Sequence, residues 1–200
     1  MDVAVLGWAD VAFRLDHRRF AYAGKFVVPG GKAVALDPGT SIDGDSLPDP
    51  REEYAQGIVA AVAFSPDRTD SSVLWLRYVT VRSDRRGEGV GPRLLAFVAE
   101  RAASREYEAV RIAVNNPFAY EAAYKAGFTY TGTDTGIAEL VCERPTGDLA
   151  CFEERDDGRS AERYRSGLDA YRERDLSPAE QGFCERVRKR GPPPVVGSPA

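Results

Sequence analysis

Glycine and arginine are packed into one short stretch of this 200-residue chain, Arg86-Gly87-Glu88-Gly89-Val90-Gly91. It follows an apolar run over residues 73–81 and precedes a helical pattern over residues 92–105. Glycines at the mouth of a helix let the backbone approach a ligand closely. The unpaired N–H groups of the first turn then point at that ligand, with the positive end of the helix dipole behind them. A corner of this kind binds phosphate.

Three other readings of the glycines compete with this one. A dinucleotide fold requires Gly-x-Gly-x-x-Gly after the first strand of a βαβ unit. Counted from Gly87 the third glycine position is Pro92, and counted from Gly89 it is Leu94, so that pattern fails. A Walker loop requires Gly-Lys followed by Ser or Thr, a triplet the chain lacks. A plain glycine turn that merely opens a helix is the bland reading, and a second motif decides against it. In Asn116-Pro117-Phe118-Ala119-Tyr120-Glu121-Ala122-Ala123-Tyr124-Lys125-Ala126-Gly127-Phe128, Asn116 suits a helix cap, Pro117 the first helical position and Gly127 the left-handed residue that closes the helix.

Arg-x-x-Gly-x-Gly with Val81 five residues before Arg86 resembles the pyrophosphate-binding motif of the GNAT N-acetyltransferase superfamily. The Asn116–Phe128 segment resembles that superfamily's second CoA-contacting element. The two occur in the right order, separated by one helix and one strand (residues 109–114). The resemblance implies a GNAT fold, an α/β arrangement with a mixed, mostly antiparallel central sheet flanked by helices. It implies acetyl-CoA as cosubstrate and transfer of an acetyl group to an amine. The N–H groups of Gly87, Gly89, Val90 and Gly91, helped by Arg86 and Arg93, would hold the pyrophosphate. Val79 and Val81, where the strands splay, would pair with the pantetheine arm, and Asn116 would complete the cofactor-binding set.

The sequence departs from the family at the proton donor. The superfamily often places a Tyr four residues before the terminal Gly, and that position is Ala123. Tyr124 is one residue late, a helical rotation of about 100°, and Tyr120 is three residues early. Tyr124 is the first candidate to protonate the leaving thiolate and Tyr120 the second, on the same face at i, i+4 spacing. The missing Tyr at 123 keeps open a second reading, a CoA-binding regulatory or interaction module without chemistry. The acceptor, a small molecule or a peptide amine, is not legible. Glu52 and Glu53 are the carboxylates considered for the base, and neither is selected by its surroundings. His17, the single histidine, sits beside Arg18 and Arg19 and reads as a surface residue.

Composition narrows the classes. With 43% apolar residues the chain has ample core for one domain and an appendage. A net charge of −4 argues against general nucleic-acid binding. Only four of the 27 basic residues are lysines. No apolar run is long enough for a membrane span, and the N-terminus has no signal pattern, so a cytoplasmic protein without membrane attachment is expected. Cys142, Cys151 and Cys184 are too scattered for a zinc site and read as reduced thiols, Cys142 as a core residue. No metal is expected.

The elements that must position these residues follow from the patterning. Residues 1–8, 20–28, 32–36, 57–64 and 73–81 read as strands, with Pro29-Gly30-Gly31 as a turn and residues 37–50 as a mobile loop. Leu94, Leu95, Val98 and Ala102 form the core stripe of the helix after the glycines. Residues 129–131 and 137–143 read as a last strand pair. Arg77, a charge inside an apolar strand, either faces solvent or lines the acceptor site. The catalytic domain is assigned to residues 1–145, a helical appendage to 146–190 and a disordered tail to 191–200. Two helices are expected at 160–175 and 177–189, the second opened by a capping box of Ser177 and Glu180. Their narrow stripes at Ala161, Tyr164, Leu168 and Tyr171, and at Phe183 and Val187, need cover from the chain's own domain or, failing that, from a homodimer.

Overall fold

The structure, a computed structural model, describes residues 1–148 and 159–197. Cys151 and the acidic part of the connection to the C-terminal helices lie outside the described residues. Strands β1 (Asp2–Val11), β2 (Gly30–Leu36), β3 (Ile58–Pro66), β4 (Val73–Val81), β5 (Ala109–Val114), β6 (Thr129–Asp134) and β7 (Leu140–Pro145) form a seven-stranded sheet in the order β1-β2-β3-β4-β5-β7-β6. Among the described residues, only β4 and β5 pair in parallel. The crossover between them is α1 (Val90–Ala103), as a parallel pair requires. Helix α2 (Pro117–Lys125) joins β5 to β6, and α3 (Ser160–Arg172) and α4 (Pro178–Arg190) follow the sheet.

The sheet separates two cores. One face carries Ala33, Ala35, Val62, Phe64, Leu74 and Leu76 against Leu94, Leu95 and Val98 of α1. The other carries Val34, Leu36, Ala61 and Ala63 against Phe13, Leu15, Phe20 and Phe26. Alternate residues of β2 and β3 supply the two faces, as strand geometry dictates.

The second core corrects the strand expected at residues 20–28. These residues form turns and one 3-10 turn, Ala23–Lys25, that cap the sheet. Phe20, Ala23 and Phe26 are buried there, and their apolar character comes from covering the sheet. Gly30 and Gly31 belong to β2, not to a turn. Gly31 is required for packing, because a Cβ there would stand 2.2 Å from the Phe64 ring.

Helices α3 and α4 share the main core through Tyr164, Leu168, Tyr171 and Val187. The capping box forms: the Ser177 hydroxyl accepts from the Glu180 N–H, and the Glu180 carboxylate accepts from the Ser177 N–H at 2.9 Å. The disordered tail expected after residue 190 is corrected in its first part. Residues 191–197 fold back, with Pro193 buried and the Val196 N–H donating to the Lys125 carbonyl at 2.7 Å.

The joint between α2 and α3 is tight at Gly167, where a Cβ would come within 2.2 Å of the Tyr120 hydroxyl. Gly167→Ala is therefore expected to destabilise the fold by about 1–3 kcal/mol through overpacking, despite the better helix propensity of Ala. A urea midpoint equal to or above the parent's would show that the joint yields freely.

Candidate active site

The site is built around a fault in β4. Ala63 of β3 is opposite Tyr78 and Phe64 is opposite Leu76, so Arg77 is an extra residue, a β-bulge. The bulge inverts the alternation of the strand. Leu74 and Leu76 before it, and Val79 and Val81 after it, all meet the main core, while Tyr78 packs against the second core. Pairing with β5 stops at the same place, the last pair being Leu76 and Ile112. Residues 77–81 therefore have one edge with no strand beside it among the described residues. Their backbone groups on that edge are not paired with a strand.

The unpaired edge leads to the glycine corner. Gly87 and Gly89 have φ of +85° and +76°, conformations costly for residues with a Cβ. A Cβ at either would meet nothing within 4 Å, so their glycine character serves the turn and leaves open space beside the backbone. Gly89 caps α1 with no side-chain hydrogen bond. Among the described residues, the N–H groups of Gly87, Gly89, Val90 and Gly91 have no recorded acceptor outside the regular elements. These donors fit an anionic group. Gly91 packs on the end of β4, where its Cβ position lies 3.4 Å from Val81 Cγ2.

Arg86 is exposed and its Nε donates to the Val81 carbonyl at 3.3 Å, which lays the side chain across the corner. Arg93 is exposed on the first turn of α1. The corner is moored by residues that the sequence did not single out. Arg82, buried, donates to the Asp37 carboxylate at 2.7 and 3.1 Å and to Asp84 at 2.8 Å. Arg85 reaches Asp37 at 3.4 Å and Glu88 at 2.8 Å. The Arg82 hydrogen bonds hold the Asp37 carboxyl below the ordinary range. No local pattern announces a pair 45 residues apart, so only the fold could reveal it.

Asn116 caps α2 as expected, its side-chain oxygen accepting from the Ala119 N–H at 2.9 Å, while its amide donates to Asn115. Tyr120 and Tyr124 are brought together under α3. The Tyr120 hydroxyl donates to the carbonyls of Arg163 and Tyr164 at 3.1 and 3.2 Å, and burial pushes its ionisation far above the ordinary value. Tyr124 is 7% exposed, with its hydroxyl 3.5 Å from Ser160 Oγ and its ring 4.4 Å from that of Tyr164. Among the described residues, no hydrogen bond or ring contact joins either tyrosine to β4 or to the glycine corner. Ala123 is fully buried in the main core.

Glu52 and Glu53 are exposed, and His17 is exposed beside Tyr54 at 3.5 Å. Burial pushes the Cys142 thiol up to about 12, in keeping with a core residue. Among the described residues no group of side chains could hold a metal ion, and no helix is long and apolar enough to cross a membrane.

Residues 47–128, from the loop before β3 to the end of the α2 segment, match the family model described as Acetyltransferase (GNAT) family. The likeness to this family is confined to that segment, which is less than half of the chain. A GCN5-related N-acetyltransferase from Kribbella flavida is 21% identical, with 57% of this chain and 67% of that chain covered at a TM-score of 0.43. A phosphinothricin acetyltransferase from Sinorhizobium meliloti, solved with AcCoA, is 16% identical over 58% and 61% at 0.44. The ribosomal-protein-S18-alanine N-acetyltransferase of Escherichia coli is 13% identical over 58% and 68% at 0.40. No curated protein matches the sequence. The functional reading therefore rests on the family match and on the residues themselves.

One buried charge near the site has a measurable signature. Lys32 of β2 is 2% exposed, and its ammonium has the Val28 carbonyl, at 2.9 Å, as its acceptor. Desolvation lowers its pKa from 10.5 to about 8. A base with a depressed folded pKa costs stability while it is charged, so the cost is full below about pH 8 and vanishes as pH rises through 10.5. Lys32→Met, similar in volume, should unfold at higher urea than the parent at pH 7. The gap should close between pH 8 and pH 10.5. A gap that is constant across this range, or absent, would show that the ammonium is not desolvated.

Proposed function

We propose that the protein is an acyl-CoA-dependent N-acetyltransferase that carries an acetyl group from acetyl-CoA to an amine acceptor. The observation that supports it best is the continuity of the unpaired β4 edge with the unbonded N–H groups of Gly87, Gly89, Val90 and Gly91. An extended arm ending in phosphates needs these two surfaces end to end. Arg86 and Arg93 add charge-assisted hydrogen bonds to phosphate oxygens. Acetyl-CoA supplies an activated thioester; the chain binds its arm, orients its carbonyl against β4 and excludes water with the two cores. Cytoplasmic location fits the buried thiols of Cys142 and Cys184, which stay reduced there.

In this reading Tyr124 supplies the proton to the departing thiolate. Tyr120 has already given its O–H to two carbonyls, whereas the Tyr124 hydroxyl faces Ser160 Oγ across 3.5 Å, a weak partner that a better acceptor replaces.

Acetyl-CoA at about 100-fold above its Kd stabilises the native state by roughly 2.7 kcal/mol. For a chain of this size that raises the Tm by about 5–10 °C. Gly89→Asp should fold at a cost of about 1–2 kcal/mol for its left-handed backbone, since nothing stands within 4 Å of a Cβ at this position, and should lose the shift because its carboxylate repels the pyrophosphate. Pantetheine, which has no phosphate, should bind parent and variant alike. An undiminished shift with acetyl-CoA in the variant means that the corner does not hold the pyrophosphate.

Tyr124→Phe should lower turnover roughly 10²-fold with acetyl-CoA affinity unchanged, because only the transition state uses the proton. Tyr120→Phe should instead lower the urea midpoint, by removing the hydroxyl from the α2–α3 joint. Parental turnover in Tyr124→Phe would mean that the thiolate, a weak base, leaves unassisted.

A further inference from the structure

Resting on the acetyltransferase reading, the geometry points to an acceptor class: an amine that carries a carboxylate close to an apolar or aromatic body, as an α-amino acid does. The segment that covers the second core runs along the outer face of β4 beside its unpaired stretch. Near the bulge, the Lys25 ammonium lies 5.3 Å from the centre of the Tyr78 ring, and the Tyr22 ring is 6.3 Å from the same ring. At the far end of β4 the Arg19 carbonyl accepts from the Ser83 N–H at 2.9 Å. An amine that approaches residues 77–81 from this face passes Tyr22, Lys25, Tyr78 and Arg19.

The charge there is unlike the rest of the chain. Between residues 12 and 29 stand Arg14, Arg18, Arg19 and Lys25 against the single acid Asp16, in a protein of net charge −4. Asp16 is taken by Arg18 at 2.9 Å, and Asp84, which faces Arg19 at 3.9 Å, is bound by Arg82 at 2.8 Å. The acidic stretch from Asp43 to Glu53 begins against the opposite edge of the sheet, where Gly44 abuts the Leu6 carbonyl, and ends beside Arg14, whose carbonyl accepts from the Ala55 N–H at 2.8 Å, at the end of the segment away from Lys25 in sequence. Lys25, exposed, has no ion-pair partner among the described residues, whereas Arg77 turns back along β4, its guanidinium over the Trp75 ring and donating to Ser65 Oγ at 2.9 Å and to the Pro66 carbonyl at 3.4 Å. The Lys25 ammonium beside the unpaired stretch attracts a carboxylate and repels a second ammonium.

The apolar half of the acceptor has its own surface. Tyr22, whose ring faces that of Tyr78, is 53% exposed. Tyr22 holds the left-handed conformation at φ 57°, which costs energy in a residue with a Cβ and here stands the ring out beside Tyr78.

The test is a panel of phenylalanine, tyrosine, leucine and methionine against their carboxamides, with acetyl-CoA turnover and, separately, thermal shift in the presence of CoA as readouts. The amides have the more readily deprotonated amine, so a preference for the free acids cannot come from amine basicity. The best free acid should exceed its amide at least tenfold in kcat/KM and should shift the Tm where the amide does not. Lys25→Glu should abolish or invert both preferences while the shift with acetyl-CoA stays parental. Amides equal to or better than acids, no response from any member, or a preference untouched by Lys25→Glu would overturn the inference. If acetyl-CoA binds and no amine is turned over, the catalytic reading fails by itself; the acid-selective thermal shift and its loss in Lys25→Glu then decide the acceptor site.

Discussion

A single inserted residue in β4 sets the terms for the rest of the site. With Arg77 as the extra residue, the strand bends and its side chains change face. Without the bulge, Val79 and Val81 would turn towards the second core, and Tyr78 and Thr80 would be driven into α1. The bulge keeps the main core apolar along the whole strand while separating its second half from β5. An exposed strand edge is ordinarily a hazard, because it invites pairing with another chain. It is tolerable here because the edge is only five residues long, residues 77–81, and closes against the α1 corner at Val81 and Gly91.

Helix α2 shows how one residue of displacement changes the duty of a side chain. At the position where the resemblance implies a tyrosine stands Ala123, enclosed by the core. Tyr120, three residues before it, faces α3 and holds the appendage. Tyr120 stacks on Tyr164 at 5.5 Å and meets Tyr171 edge-on at 5.6 Å. Next in the chain, Glu121, 6% exposed, accepts from Lys125, Arg190 and Tyr164. Burial alone would raise its pKa; the hydrogen bonds from Lys125 and Arg190 outweigh it and leave the carboxyl below its ordinary value. A buried carboxylate with three donors from three helices fixes their mutual register, and removing any donor would leave charge uncompensated.

The parts legible in the sequence were those with local causes. The glycine corner, the Asn116 cap, the Ser177 capping box and the α1 stripe are each specified within a few residues, and each lies where its pattern places it. Residues 20–28 misled because aromatic and β-branched residues bury equally well in a strand and in a non-helical cap over a sheet. The bulge at Arg77 was visible only as a charge in an apolar run. Its meaning depends on the register with β3, which no single strand contains. The Asp37–Arg82 pair and the packing of Tyr120 on α3 are products of tertiary structure, and no spacing rule reaches across 45 or 43 residues.

The arginines around the corner divide by burial, and burial explains the division. Arg82 has a side chain only 9% exposed, so its charge needs partners within the protein, and Asp37 and Asp84 supply them. Arg85, 30% exposed, is shared between Asp37 and Glu88. Its second bond matters because Glu88 stands between Gly87 and Gly89, where a bare carboxylate would repel the phosphate proposed for this turn. Arg86 and Arg93 are exposed and have no ion pair among the described residues. Solvent carries their charge until a ligand takes its place. Two arginines thus neutralise the acids that hold the turn together, and two keep their charge for whatever the turn receives. The same number of positive charges without this pairing would give either a corner that cannot fold or one that cannot attract an anion.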